Sequence, residues 1–384
     1  MKIVFAGGGT GGHFYPIIAI AEAVREISNE RRLIMPKLYF MAPKPFDADA
    51  LFENQIVFIS CPAGKMRRYK SFKNITDLFV TAGGVLSALW SLFQIYPDIV
   101  VSKGGYTSVP VTIAANILHI PVLIHESDAR PGRANLLAAR HAARIAVAFD
   151  SARDLFPKKV QDRIARIGIP IRREVAFVDA EGAVQELGLE RDLPTLLVLG
   201  GSSGSARINE TVLEALPDLV SFANVIHQTG KDLFKEVEST AKVIIENSPN
   251  KARYHAFPYL NSLSLRRAAG AATVVVSRAG ATAISEISLW RKPAILIPIP
   301  ETVSHDQRTN AYAYARTGAA TVLEEGNMTP HVLASEVRRI ALDPTVVAEM
   351  SRKGADFANP EAARMIAEEV IAIGLSHEPD VAPA

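Results

Sequence analysis

Cysteine is almost missing from this sequence of 384 residues. Cys61 is the only one, which excludes an internal disulfide and suits a reducing compartment. An excess of charge is missing too. A formal net charge of +2 supplies no global field for a nucleic acid, so nucleic-acid binding is not expected. No set of histidines, cysteines and carboxylates has metal-ligand spacing, and no G-x-S-x-G elbow marks a serine nucleophile. The opening MKIVFAGGGT has one lysine and an apolar run too short for a signal peptide. One long apolar run is present. Leu78 to Tyr96 carries no charge and is long enough to reach across a bilayer. Thr81, Gly83, Gly84, Ser87, Ser91 and Gln94 interrupt it, and strand-like segments flank it. A buried crossover helix of the fold, touching a bilayer with one face at most, is therefore expected.

What is there is the composition of a globular chain whose length suits two domains. Short β-branched runs alternate with helical patterns: KIVFA, KLYFM, IVFI, DIVVS, PVLIH, RIAVA and RIARI, then TLLVLG, NVIHQ, TVVVS, AILIP and TVL. Strand, crossover helix, strand at this spacing predicts parallel, doubly wound α/β sheets, and the strands are apolar on both faces as such sheets require. The plan restarts, because LLVLGGSSGSARIN echoes IVFAGGGTGGHF. The expected division is a first domain over 1–168 and a second over 169–358. A last helix over 360–374 is expected to pack back on the first domain, with a flexible tail over 376–384.

Five glycines crowd the stretch FAGGGTGGHFYP, which implies close approach of a ligand to bare backbone. Gly7, Gly9 and Gly12 satisfy G-x-G-x-x-G, yet the second strand ends Met41-Ala42-Pro43-Lys44 without the carboxylate that would hold a ribose diol. A phosphate loop of Walker type fails as well, since His13-Phe14 follows Gly12. His13 sits at a helix start, where the dipole keeps an imidazole neutral and able to accept a proton. SKGGYTSVP (102–110) and HESDARPGRAN (125–135) leave the same sheet edge, describing a cleft floor for a polar ligand. In the second half the edge carries GGSSGS, SRAGATAISE and SHDQRTNA. Thr282 and Glu286 share a helix face near its start, where amides suit a diphosphate and a carboxylate can accept both hydroxyls of a ribose.

In order, GGGTGGH, SKGGYTSVP, HESD-x-x-PG-x-x-N, GIPIR, GGSSGS, SRAGA-x-x-x-SE and DQ-x-x-NA resemble the MurG family of peptidoglycan glycosyltransferases, from Gly7 to about Ala311. The resemblance implies a GT-B fold, two Rossmann-like domains with a cleft between them. It also implies inverting, metal-independent transfer of N-acetylglucosamine from UDP onto undecaprenyl-linked lipid I, giving lipid II, with no cofactor. Carried over by motif, Thr10, Gly11 and Gly12 lie beside the diphosphate and acceptor, and His13, Glu126 and Asp128 are the catalytic candidates. Tyr106, His125 and Asn135 line the acceptor side. Arg172 and Ser202 meet the nucleotide diphosphate, Glu286 the ribose, and Gln307 with Asn310 the sugar hydroxyls. Asn209 and Arg278 complete the substrate-binding set. HESD stands where many members read HEQN, so Asp128 brings a carboxylate that an asparagine would lack. The residues alone leave open a glycosyltransferase acting on diacylglycerol or another lipid, a dinucleotide-dependent oxidoreductase, and a non-catalytic nucleotide-sugar sensor.

Lys65, Arg67, Arg68, Lys70 and Lys73 place five positive charges within nine residues, interleaved with Met66, Tyr69 and Phe72 and followed by Ile75, Leu78 and Phe79. Lys65 to Phe79 is expected to dock on an anionic membrane surface, making the protein peripheral on the cytoplasmic face of the bacterial cell membrane.

Overall fold

The computed structural model describes residues 1–65, 73–201, 204–301 and 305–376. The chain divides into two compact units, Met1–Arg172 with the segment beginning at Pro360, and Arg173–Asn359.

In the first unit, β1 (Lys2–Ala6), β2 (Lys37–Ala42), β3 (Ile56–Ser60), β4 (Ile99–Ser102), β5 (Val122–Glu126), β6 (Arg144–Val147) and β7 (Ile164–Arg166) form one parallel sheet. Its order is β3-β2-β1-β4-β5-β6-β7. Side chains alternate across each strand, so β1 sends Ile3 and Phe5 into one core and Val4 and Ala6 into the other. The first core is closed by the helix Gly11–Glu30, through Ile17, Ile20 and Val24, and by the helix Ala362–Leu375, through Ile366, Ala367 and Val370. Exposed ion pairs such as Arg364–Glu30 (2.6 Å) join these two helices but contribute little beside the apolar contact.

The second core takes up only one edge of the helix Lys73–Ile95. Among the described residues Gly84, Ala88 and Leu92, four apart, are its buried positions, and Ala88 and Leu92 pack with Val111 and Ala114. This corrects the expectation of a buried crossover helix. Phe79, Leu86, Trp90 and Phe93 are 72, 69, 64 and 65% exposed. Their spacing of seven, four and three places them in one stripe along the helix. A helix that faces solvent with such residues has the same hydropathy as one that is buried, so the run itself does not show which it is. Most of the basic segment before it, residues 66–72, lies outside the described residues.

The second unit repeats the winding. β8 (Thr195–Leu199), β9 (Asn224–Gln228), β10 (Tyr254–Phe257), β11 (Val274–Ser277), β12 (Ala294–Leu296) and β13 (Ala320–Val322) are parallel, in the order β10-β9-β8-β11-β12-β13. Numbered within each unit, the order 3-2-1-4-5-6 is common to both, as in two Rossmann-like sheets. β10 was not among the expected strands. It is an edge strand, half-buried throughout, and its YHAF lacks the apolar run of a strand covered on both faces.

Candidate active site

Parallel sheets of this order bind ligands at the carboxyl ends of the strands where the order reverses, beside β1 and β4 in the first unit and β8 and β11 in the second. The glycine cluster follows β1. Gly7, Gly8 and Gly9 have φ of 153°, 110° and 88°, backbone that a side chain would strain, whereas Gly11 and Gly12 open the first turn of the helix. Thr10 is the N-cap, but its hydroxyl bonds the Nδ1 of His13 (2.8 Å) instead of a backbone amide. Burial, and then the positive charge of Lys103, push the His13 imidazole down to about 4, so it is neutral at pH 7. The tautomer that donates Nδ1–H to Thr10 leaves Nε2 as a proton acceptor. Tyr106 stands at the rim in a short turn after β4, its ring against Gly9.

The loop after β5 is organised by Glu126. Its carboxylate accepts from Asp128 N–H (2.9 Å), Gly132 N–H (2.9 Å) and Asn135 Nδ2 (2.8 Å). Burial and the neighbouring Asp128 push it up to about 7 while these donors pull the other way. A carboxylate engaged in this manner braces its own loop. His125 and Asn135 also bond within the unit. His125 is fully buried and donates Nε2–H to Gly168 O (2.7 Å), tying β5 to the turn after β7, and Asn135 is buried against Glu126. Asp128 is half-buried and keeps its place as a base candidate. Arg172 lays its guanidinium over the Tyr15 ring, 4.2 Å from the centroid.

Lys103, within the motif SKGGYTSVP, belongs to this edge as well. Lys103 follows β4 directly, is 1% exposed, and donates its ammonium to the Ser127 hydroxyl. Burial pushes it down to about 8 against the opposing pull of Glu126 and Asp128. The signal was available, a lysine joined directly to a strand apolar on both faces.

In the second unit Ser202 lies outside the described residues. Arg278 follows β11 and donates to Glu325 Oε2 (2.6 Å) and Ser205 Oγ (2.6 Å), which hold the guanidinium at the sheet edge. The helix Ala281–Leu289 begins beside it, with Thr282 and Glu286 on its half-buried face. Asn209 and Asn310 both make internal hydrogen bonds. Asn209 is buried, donates to Thr229 O (2.9 Å) and accepts from His227 Nε2 (3.0 Å). Asn310 is fully buried and its amide reaches Ala279 O (3.4 Å). Gln307 accepts from Ile299 N–H (3.2 Å), which leaves its NH2 end to offer a ligand. Gln228, also unanticipated, bridges Gly201 O (3.1 Å) and Leu260 N–H (2.9 Å), so the polar end of an otherwise buried strand sets two edge loops.

Residues 3–147 match the glycosyltransferase family 28 N-terminal domain and residues 195–368 its C-terminal domain. A Bacillus anthracis UDP-N-acetylglucosamine–N-acetylmuramyl-(pentapeptide) pyrophosphoryl-undecaprenol N-acetylglucosamine transferase is 36% identical over 341 residues, 88% of this chain and 91% of that protein. The Symbiobacterium thermophilum transferase of the same name is 33% identical over 374 residues, 97% and 96% of the two chains. Among solved structures, Acinetobacter baumannii MurG has a TM-score of 0.72 at 24% identity, covering 97% of this chain and 99% of that one. The UDP-GlcNAc 2-epimerase from Neisseria meningitidis reaches 0.68 at 14% identity, covering 97% and 100%. Enzymes of different reactions thus share the fold, and only the sequence relation discriminates between them. With family models matched in both halves and about a third of the residues shared over most of its length, the chain belongs to glycosyltransferase family 28, among the MurG-type N-acetylglucosamine transferases.

Proposed function

We propose that the protein transfers N-acetylglucosamine from UDP-N-acetylglucosamine to the C4 hydroxyl of the muramyl unit in N-acetylmuramyl-(pentapeptide) pyrophosphoryl-undecaprenol. The observation that carries this reading is the identity of about a third, over nearly nine-tenths of the chain or more, to transferases named for that reaction. The second unit suits the nucleotide sugar. The amino end of the helix Ala281–Leu289 offers backbone N–H groups to the diphosphate, Glu286 takes the ribose hydroxyls, and Gln307 reads the sugar. The first unit suits the acceptor, with Thr10, Gly11, Gly12 and Tyr106 around the attacking hydroxyl. His13 Nε2 or the Asp128 carboxylate takes its proton as the oxygen bonds to the anomeric carbon. The bond from that carbon to the UDP oxygen breaks in the same step, which inverts the anomeric centre. Mass analysis of a UDP-release reaction tests the reading. UDP should appear only when a lipid I analogue is present and gains one N-acetylhexosamine. Epimerised donor, or release without an acceptor, overturns it.

The acceptor is lipid-linked, and the stripe Phe79, Leu86, Trp90 and Phe93 is suited to lie among headgroups. The basic run of residues 65–73 would add roughly 1 kcal/mol per charge on an anionic surface. A span would strip Ala88 and Leu92 from Val111 and Ala114, so docking on the cytoplasmic leaflet is the better solution. Co-sedimentation with anionic vesicles should weaken as salt rises. It should also be lost when the four stripe residues are changed to serine, and unchanged sedimentation places the contact elsewhere.

A further inference from the structure

Lys103 takes no part in the steps above, yet this one residue has contacts towards the loops after β1 and β5 as well as its own place after β4. Its backbone N–H donates to Ala6 O at the end of β1 (2.8 Å), and its stem closes the space under the glycine loop. A Cβ on Gly7 would stand 2.9 Å from Lys103 Cβ. Its ammonium donates to the Ser127 hydroxyl in the loop after β5. An ammonium almost sealed from water needs opposite charge nearby, and Glu126 and Asp128 supply it. His13 and His125 are the other titratable groups that feel it.

We propose that Lys103 is a positioning residue for the transfer reaction, holding the Ser127–Asp128 turn against the glycine loop and keeping the proton-accepting group of that edge unprotonated. This rests on the reading of the edge as the acceptor site. The Asp128 charge favours protonation of Glu126, and an acceptor diphosphate would add to that tendency. A fixed cation on the adjacent Ser127 hydroxyl opposes it. The effect has one sign whichever group is the base, because a positive neighbour disfavours both imidazolium and carboxylic acid.

Two variants of the full-length protein test it, with a water-soluble lipid I analogue and saturating UDP-N-acetylglucosamine. Lys103→Met keeps the stem and removes the charge. The acidic limb of its kcat/KM profile for the acceptor should move up by about one pH unit. Its rate at pH 7 should fall roughly tenfold to a hundredfold, while the KM for the donor stays within about twofold. Without any substrate, the His13 imidazole followed by NMR should titrate at higher pH than in the wild type. Lys103→Arg keeps a charge that does not titrate, so activity lost above about pH 8 in the wild type should persist to higher pH. A folded Lys103→Met with an unmoved acidic limb and unmoved His13 titration makes Lys103 a structural ion only. Should that variant not fold, an alkaline limb unchanged in Lys103→Arg overturns the proposal by itself. Absence of transfer by the wild type would instead remove the acceptor-site reading, and the His13 titration would still report the coupling.

Discussion

Replacing Asn209 with alanine separates a ligand contact from an internal tie. Four polar groups form a chain in the second unit. Tyr254 O–H donates to His227 Nδ1 (3.0 Å), His227 Nε2–H to Asn209 Oδ1 (3.0 Å), and Asn209 Nδ2–H to Thr229 O (2.9 Å). Alanine at 209 leaves the His227 N–H and the Thr229 carbonyl buried without those partners. Each costs about 1–3 kcal/mol, so the total is about 2–6 kcal/mol. For a unit of this size, roughly 2–4 °C of melting temperature accompanies each kcal/mol, which gives a drop on the order of 10 °C by calorimetry. Donor affinity measured well below the transition should stay within about threefold, because the amide faces inward. The same chain carries a pH signature. Burial pushes His227 down to about 3, below its unfolded value, so its contribution is complete above about pH 6.5 and is lost as pH falls towards 3. At pH 5 the loss is about 2 kcal/mol, and His227→Leu should flatten that slope. An Asn209→Ala protein that melts within about 2 °C of wild type, yet binds UDP-N-acetylglucosamine more than about tenfold more weakly, would refute the inward assignment.

Three further outcomes are expected. Glu126→Gln should raise the acceptor KM with kcat within a few-fold, since Glu126 shapes the loop; a fall in kcat of about 10²–10⁴ would instead assign it the role of base. Gln307→Ala should erase discrimination between UDP-N-acetylglucosamine and its C4 epimer, worth about 1–3 kcal/mol, and selectivity that survives would place the sugar's reader elsewhere. Trp290 donates its indole N–H to Val175 O (2.8 Å) in a buried site, so Trp290→Phe should cost about 1 kcal/mol in denaturant unfolding without altering donor KM.

The expected parallel strands were readable because a sheet covered on both faces demands uninterrupted apolar runs, and Ile99–Ser102 or Thr195–Leu199 have no other use for them. β10 escaped because an edge strand is covered less and its composition relaxes accordingly. The helix Lys73–Ile95 was readable as a helix, whereas its open face was not, because hydropathy records a residue's preference and not whether a neighbour satisfies it. The edge loops were readable as motifs. What a motif does not carry is the direction in which each polar side chain turns. His125 at the end of β5, Asn135 and Asn209 in first helical turns and Asn310 in mid-helix all belong to the edge motifs, and all turn inward to internal partners.

That inward turn has a physical reason, visible at the equivalent place in both units. β4 ends in Ser102 and is followed by Lys103; β11 ends in Ser277 and is followed by Arg278. The backbone N–H of each donates to the last residue of its unit's first strand, Ala6 O (2.8 Å) and Leu199 O (3.3 Å). Each side-chain cation then binds a serine of an edge loop, Ser127 or Ser205, with carboxylates nearby. A glycine-rich loop has little side-chain packing to hold its shape, and the open backbone that admits a phosphate also costs entropy to order. A cation anchored on the adjacent strand can order such a loop through hydrogen bonds while leaving its outer surface bare. In the second unit the fork of an arginine reaches Ser205, Glu325 and Ile297 O together. In the first unit a lysine offers a point charge, which suits an edge where the charge itself, more than its reach, governs the groups around it.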